Sequence, residues 1–451
     1  MPRLRNCLAA PAPFFLLVLF VLLVLLALLA TPAVTSAQTA LQREVDQRAA
    51  AVNPKVVAWR RDFHQNPELS GSEERTARIV AEHLRALGLE VRTNVGGHGV
   101  VGVLRGGRPG RVVALRADMD ALPVTEQVDL PFRSRVRATF AGQEVGVMHA
   151  CGHDTHVAIL MGTAEVLSGL KDRLPGTVVF IFQPAEEGHP DGRGGGAERM
   201  LRDGAFDNPR VESVFGLHAW ASPVGSVTYR SGPMLAASNS FTIIVHGRQS
   251  HGGRPWDGVD PIVISAQVIV GLQTIVARQT DITTVPAIVT IGSLHGGVRN
   301  NIIPDSVVMQ GSIRTFDRAQ RDSIFARVVR TATHIAASGG ARATVKIDSG
   351  YGVTRNDEAL TAQMLPSLER AAGRENVWVM PLRTVSEDFS FFQERVPGVF
   401  VFLGVIPREQ NVESAPANHS PLFFVDEAAL PVGVRTLSSL ALDWLSAPRA
   451  R

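Results

Sequence analysis

The sequence predicts an α/β protein, a mixed sheet with helices on both faces, interrupted by an inserted βαββαβ (ferredoxin-like) unit. Four apolar runs read as buried strands: VVALRADM from Val112, TVVFIFQPA from Thr177, SVFGLHAW from Ser213 and VFVFLGV from Val399. Helical stretches such as HVAILMGTAEVLSGL from His156 lie between them, and strands alternating with helices argue a sheet covered by helices. From about Ser240 the order changes to strand SFTIIVHG, helix 261–277, strand AIVTIGSL, strand VVMQGSIRTF, helix 318–337 and strand ARATVKI, a compact unit of small-domain size. The chain has 451 residues, 45% hydrophobic and 19% charged, which suits two or three domains of about 150 residues each and excludes a disordered protein.

The elements follow in order. Residues 14–30, FFLLVLFVLLVLLALLA, carry no polar side chain. Arg3 and Arg5 precede them and small residues, Thr35-Ser36-Ala37, follow, which is the pattern of a cleaved secretory leader spanning 1–37. An uncleaved membrane anchor is the alternative, because a run this short is near the lower limit for a spanning helix. Either way the chain is expected to be exported, periplasmic or secreted. Ser70-Gly71-Ser72-Glu73 fits a capping box opening a helix that Gly88 stops. Residues 45–235 and 349–446 form the two parts of the larger domain, and 236–348 the insertion.

Composition narrows the partners. Lys plus Arg total 45 and Asp plus Glu 42, and two of the basic residues belong to the leader. Near-neutrality removes the usual argument for nucleic acid. Two cysteines exclude a disulfide framework. With Cys7 in the leader, Cys151 has no internal partner and is either an apolar filler or a ligand.

The densest chemistry is Met148-His149-Ala150-Cys151-Gly152-His153-Asp154-Thr155-His156. Cys151 and His153 are two apart, so in an extended segment both face one side, and thiolate and imidazole suit zinc and its first-row neighbours. A core cysteine beside a hydrogen-bonded histidine is the plain alternative. Glu186 and Glu187, in FQPAEEG, follow an apolar strand, where α/β sheets place ligands. Adjacent carboxylates point apart, so one can bind a metal while the other handles a proton. His218 ends another strand and His419 lies in a late loop. Taken together, Cys151, His153, Glu187, His218 and His419 are more ligands than one tetrahedral ion uses and suit two ions about 3.5–4 Å apart. Asp118 and Asp120 close a further strand, and Asp120 reads as the group that orients a histidine from behind, or as a simple turn former.

MHACGHDTH, FQPAEEG, GLHAW, SEDFSFF (Ser386 to Phe392) and NHSP resemble, in order, the motifs of the dinuclear metal amidohydrolases that include hippurate hydrolase, N-acyl-amino-acid hydrolases and indoleacetyl-amino-acid hydrolases. The likeness runs from about Val56 to about Leu445. It implies that Cys151, His153, Glu187, His218 and His419 bind two divalent metal ions per subunit (zinc, manganese, cobalt or nickel), with Glu186 the general base. It implies that the insertion is a lid and dimerisation domain of a homodimer, and that His251, in QSHGG, reaches the partner's site to hold the oxyanion. Asn301 and Arg314 resemble residues that contact the substrate carboxylate, a role a guanidinium fork suits chemically. The activity implied is hydrolysis of the amide bond of N-acyl amino acids or short peptides, releasing an amino acid. The rivals are an exported metal- or amino-acid-binding protein without catalysis, and a membrane-anchored scaffold. Two segments differ from many relatives, a longer HPDGRGGG after Gly188 and a shorter ASPVG after His218.

Overall fold

The computed structural model describes residues 40–188 and 195–448. The expected leader, and most of HPDGRGGG, lie outside the described residues. Helix α1 covers 40–65 and α2 covers Glu74–Ala86. Strands β1 (Glu90–Arg92), β2 (Val100–Arg105), β3 (Arg108–Asp118), β4 (Pro175–Gln183), β5 (Ser213–Pro223) and β6 (Val227–Tyr229) build the first part of the main sheet, with α3 (His153–Ser168) between β3 and β4. The insertion supplies β7 (Ala237–His246), α4 (Pro261–Gln279), β8 (Ala287–His295), β9 (Ser306–Thr315), α5 (Arg318–Ser338) and β10 (Arg342–Ser349). The chain then returns through α6 (Glu358–Ala372), β11 (Val377–Val379), β12 (Gly398–Ile406) and α7 (Leu430–Ser446).

The main sheet is mixed, eight strands in the order β1-β2-β4-β3-β5-β12-β6-β11. Its centre is parallel: β3 pairs with β4 and β5, and β12 with β5. Largely buried on both faces, these strands read as mainly apolar runs, as parallel strands do, with Arg116 in β3 and His218 in β5 among the polar exceptions. One face packs on α3 and α7 through Val157, Leu160, Met161, Leu437 and Leu440, the other on Met200, Phe389 and Phe392 from short helices. The insertion forms its own antiparallel sheet, β8-β9-β7-β10, with a separate core. In α4, the helix among the described residues that is long and apolar enough to cross a membrane, the stripe Ile264, Val268, Leu272 and Ile275 is buried in that core.

Gly88 takes φ +78 just past α2, the left-handed conformation that ends helices. The expected capping box does not form. Glu73 is fully buried and accepts from Gly71 N at 2.8 Å and Ala185 N at 2.9 Å, Ser70 Oγ donates to Asp120 at 2.7 Å, and the first-turn amides of α2, Arg75 N and Thr76 N, donate instead to the Glu68 carboxylate at 2.8 Å. Two tertiary demands override a local motif.

Candidate metal centre

The carboxyl ends of β3, β4 and β5 open on the same edge of the sheet, where parallel α/β sheets place their sites. Cys151 and His153 stand at the start of α3. The preceding turn passes Gly152 at φ +90, where a Cβ would lie 2.9 Å from Ala219 Cβ. His218 is near the end of β5, its ring fixed by Nδ1 against Ala219 O at 2.7 Å, which leaves Nε2 facing Cys151 Sγ at 3.4 Å. His419 arrives from a late loop. Its backbone N donates to Ala150 O at 2.8 Å, and Asn418 Nδ2 donates to Cys151 O and Ala219 O at 3.1 and 3.0 Å. Three stretches of chain are thereby tied to each other around one point.

His419 Nε2 lies 3.3 Å from Cys151 Sγ and 3.1 Å from Glu187 Oε1. Two donors each about 2.0–2.3 Å from one zinc ion at a tetrahedral angle stand roughly 3.5 Å apart, so these separations suit ligand edges. Ligand atoms of Cys151, His153 and His218 cluster within 4.8 Å of one another, as do those of Cys151, Glu187 and His419, and of His153, Glu186 and Glu187. Cys151 belongs to the first two groups and bridges them. Both ring nitrogens of His153 and Glu187 Oε1 are buried without an aligned hydrogen-bond partner. Orphaned donors converging at ligand spacing fit divalent ions and explain why the groups tolerate burial.

The carboxylates behind the cluster are organised by Asp120 and Arg116. Asp120 accepts from Glu186 N at 3.1 Å and Glu187 N at 2.9 Å, and its Oδ1 is 3.3 Å from His153 Nδ1. His156 accepts from Ala219 N at 2.7 Å through Nε2, so its Nδ1 carries the proton and donates to Asp118 at 2.5 Å. Arg116, fully buried, donates to Asp118 (2.6 Å), Glu387 (2.9 Å), Asp388 (3.1 Å) and Gln183 (2.8 Å). Sequence reasoning passed over this guanidinium, although a charged residue inside the run VVALRADM was the signal.

The electrostatics follow. Burial, with Glu387, Glu187, Asp388 and Asp120 nearby, holds the Glu186 carboxyl well above the usual range. Burial, with Glu187 and Glu186, pushes the Cys151 thiol up. Burial opposes a charged His153, but Asp118 and Asp120 outweigh it and raise the imidazole to about 10. An excess of negative charge therefore awaits cations, and bound cations invert that balance, favouring thiolate and carboxylate.

A cavity of about 470 Å³ opens over the cluster, lined by Cys151, Glu186, Glu187, His218 and His419 together with Trp220, Phe402, Arg314 and Tyr351. Trp220 and Phe402 stack at 4.3 Å and make an apolar wall. Arg314 is half-buried and donates to Ser386 Oγ at 2.9 Å. A larger cleft of about 800 Å³, near Phe316, Arg355 and Gln393, lies at the junction with the insertion, away from these donors. His251 and Asn301 do not line the cavity. His251 is exposed on the insertion, its Nδ1 accepting from Gly253 N at 3.0 Å, and Gly252 N donates to Asn301 O at 2.8 Å, so the two residues share one tip.

Comparison with known proteins agrees with this geometry. The profile of peptidase family M20/M25/M40 matches residues 114–443. The chain is 41% identical over 394 residues to thermostable carboxypeptidase 2 of Saccharolobus solfataricus, covering 86% of this chain and 95% of that protein. It is 36% identical over 382 residues to N-acetyl-L-cysteine deacetylase of Bacillus subtilis (84% and 86%), and 37% over 395 residues to IAA-amino acid hydrolase ILR1-like 4 of Arabidopsis thaliana (86% of each). The crystal structure of a Bacillus subtilis dinuclear metal-binding peptidase of the M20 family superposes with a TM-score of 0.73, at 33% identity over 88% of this chain and 99% of the other. With matches that span nearly the whole catalytic architecture, the chain belongs to peptidase family M20/M25/M40.

Proposed function

We propose that this protein hydrolyses the amide bond of N-acyl amino acids or short peptides and releases an amino acid. The observation that carries the reading is Glu186, a buried carboxylate beside the ligand cluster whose neighbour Glu187 already faces the donors. When bound, a pair of divalent ions would polarise a water and the scissile carbonyl. Cys151, His153, Glu187, His218 and His419 would hold the pair, drawn from zinc, manganese, cobalt or nickel, and Asp120 orients His153. Glu186 takes the proton of the attacking water and returns it to the leaving nitrogen. Arg314 receives the free carboxylate of the substrate, and the Trp220–Phe402 wall excludes water from one side of the cavity.

Residues 236–348 act as a ferredoxin-like lid and dimerisation domain between catalytic parts 45–235 and 349–446. His251 and Asn301 share its exposed tip, which suits residues that serve the partner's site rather than their own. The leader directs export to the periplasm or beyond. Substituting Glu186→Gln tests the assignment: metal content stays at the wild-type level while hydrolysis of N-acyl amino acids falls by about 10²–10⁴. Near-normal turnover in that variant refutes it.

A further inference from the structure

The turn after β4 carries both Glu186 and Glu187, and its backbone is not relaxed. Ala185 sits at φ +51, a left-handed conformation that a residue with a Cβ rarely adopts. Such a conformation persists only where the surroundings over-determine it. Here four distant groups do so. Ala185 N donates to Glu73 Oε1 at 2.9 Å, and Asp120 takes the amides of Glu186 and Glu187. The Tyr351 hydroxyl donates to Glu186 O at 2.5 Å, and Gly196 N donates to Ala185 O at 3.0 Å. A Cβ at Gly196 would lie 1.6 Å from Pro184 O, so the approach is open to glycine alone.

Of these groups, Glu73 has no other assignment, and Tyr351 also lines the cavity. Glu73 is fully buried, Oε2 has no partner among the described residues, and its side chain does not cap the helix it precedes. Burying a carboxyl oxygen without a partner costs stability. The Glu186 carboxylate, for its part, has a single long hydrogen bond among the described residues, from Asp388 N at 3.4 Å. Its direction is therefore inherited from the main chain beneath it.

We propose that Glu73 and Tyr351 are positioning residues for Glu186, holding the turn at Ala185 N and Glu186 O so that the carboxylate meets its proton. This rests on reading Glu186 as the general base. A base must stay within hydrogen-bond reach of the proton it takes, and a misplacement of about 1 Å costs roughly 10²-fold in rate. Burial and Asp120 raise the pKa of the Glu73 carboxyl, and a glutamine side chain keeps the carbonyl oxygen that accepts from Ala185 N.

The test uses the full-length, metal-replete enzyme and a carboxylate-bearing N-acyl amino acid. Glu73→Ala, Glu73→Gln and Tyr351→Phe are each made in the wild type and in Glu186→Gln, with kcat, KM and metal content measured. Glu73→Ala is expected to lower kcat about 10²-fold with KM and metal content near wild type. Glu73→Gln recovers most of the loss, and Tyr351→Phe loses about tenfold. In the Glu186→Gln background none of the three lowers kcat further, because the group they aim is already gone. Wild-type kcat in both Glu73→Ala and Tyr351→Phe overturns the proposal, as does a full multiplicative loss on top of Glu186→Gln. Loss of metal that Glu73→Gln does not restore also overturns it, since that marks a structural role. Should Glu73→Ala fail to fold, Tyr351→Phe, which deletes one hydroxyl, reads the same coupling. An active Glu186→Gln enzyme overturns the general-base reading itself; an inactive one beside fully active Glu73 and Tyr351 variants overturns this proposal alone.

Discussion

Replacing Arg116 with methionine keeps the length of the side chain and removes the charge. Arg116 and the carboxylates of Asp118 and Asp388 are all fully buried, Glu387 nearly so, and the guanidinium makes four hydrogen bonds. Methionine would leave those three acids facing one another without a counter-charge. Removing one partner of a buried pair costs about 3–5 kcal/mol, a factor of roughly 10²–10³ or more in the folding equilibrium. With an m-value of about 3 kcal/mol/M, the urea midpoint should fall by about 1 M or more. The assay is tryptophan fluorescence in urea at fixed protein concentration and saturating metal. Arg355→Met is the control, since Arg355 is half-exposed and pairs with Glu358 in a surface contact worth about 1 kcal/mol at most. A midpoint shift for Arg116→Met no larger than that of the control would refute the view that this cation balances the acids under the site.

Three further outcomes are expected. His64 lies between Asp154 (2.9 Å) and Glu126 (3.0 Å); burial disfavours its charge, but the two acids outweigh burial and raise its pKa. The stability it adds is complete below its unfolded pKa of about 6.5 and is lost as pH climbs through the raised folded value, so the wild type should exceed His64→Gln by more at pH 6 than at pH 9. An advantage that grows toward pH 9 contradicts this. Cys151→Ala removes the sulfur that stands 3.3–3.4 Å from two imidazoles, and bound metal per chain, measured by elemental analysis after gel filtration, should drop; unchanged stoichiometry counts against it as a ligand. Arg314→Met should raise KM about 10–100-fold for substrates with a free carboxylate, the worth of a charge-assisted hydrogen bond, and leave amidated substrates unaffected. Equal effects on both substrates would remove Arg314 from substrate recognition.

Much of the architecture is legible because its signals are regional. The central strands of the main sheet carry apolar runs such as VVFIF in β4 and VFVFLGVI in β12, and β7 to β10 fall within a few residues of the strands read from the sequence. The clustering of Cys151, His153, Glu187, His218 and His419 is legible because strand ends and helix starts are where side chains of one sheet edge meet. What the sequence hides is pairing across long separations. Nothing local marks Glu73 as the acceptor for Ala185, 112 residues away, and so it mimics a helix cap. Arg116 looks like an interruption of a strand until Glu387, 271 residues later, comes beside it. His251, Asn301 and Arg314 look alike as polar residues of one insertion, yet only Arg314 lines the cavity, because β9 runs back toward the main domain while the tip of the insertion points outward.

The position of β12 in the main sheet bears on biogenesis. This strand, Gly398–Ile406, is the last among the described residues, yet it occupies the gap between β5 and β6, made about 170 to 185 residues earlier. During synthesis β5 must wait with one row of amides and carbonyls bare, the kind of exposed border that invites pairing with other chains. His419 follows the end of β12 by thirteen residues, so closing the sheet and completing the candidate metal cage come close together in synthesis. A chain cut short before Gly398 would lack both, and metal uptake would report that synthesis has run to completion.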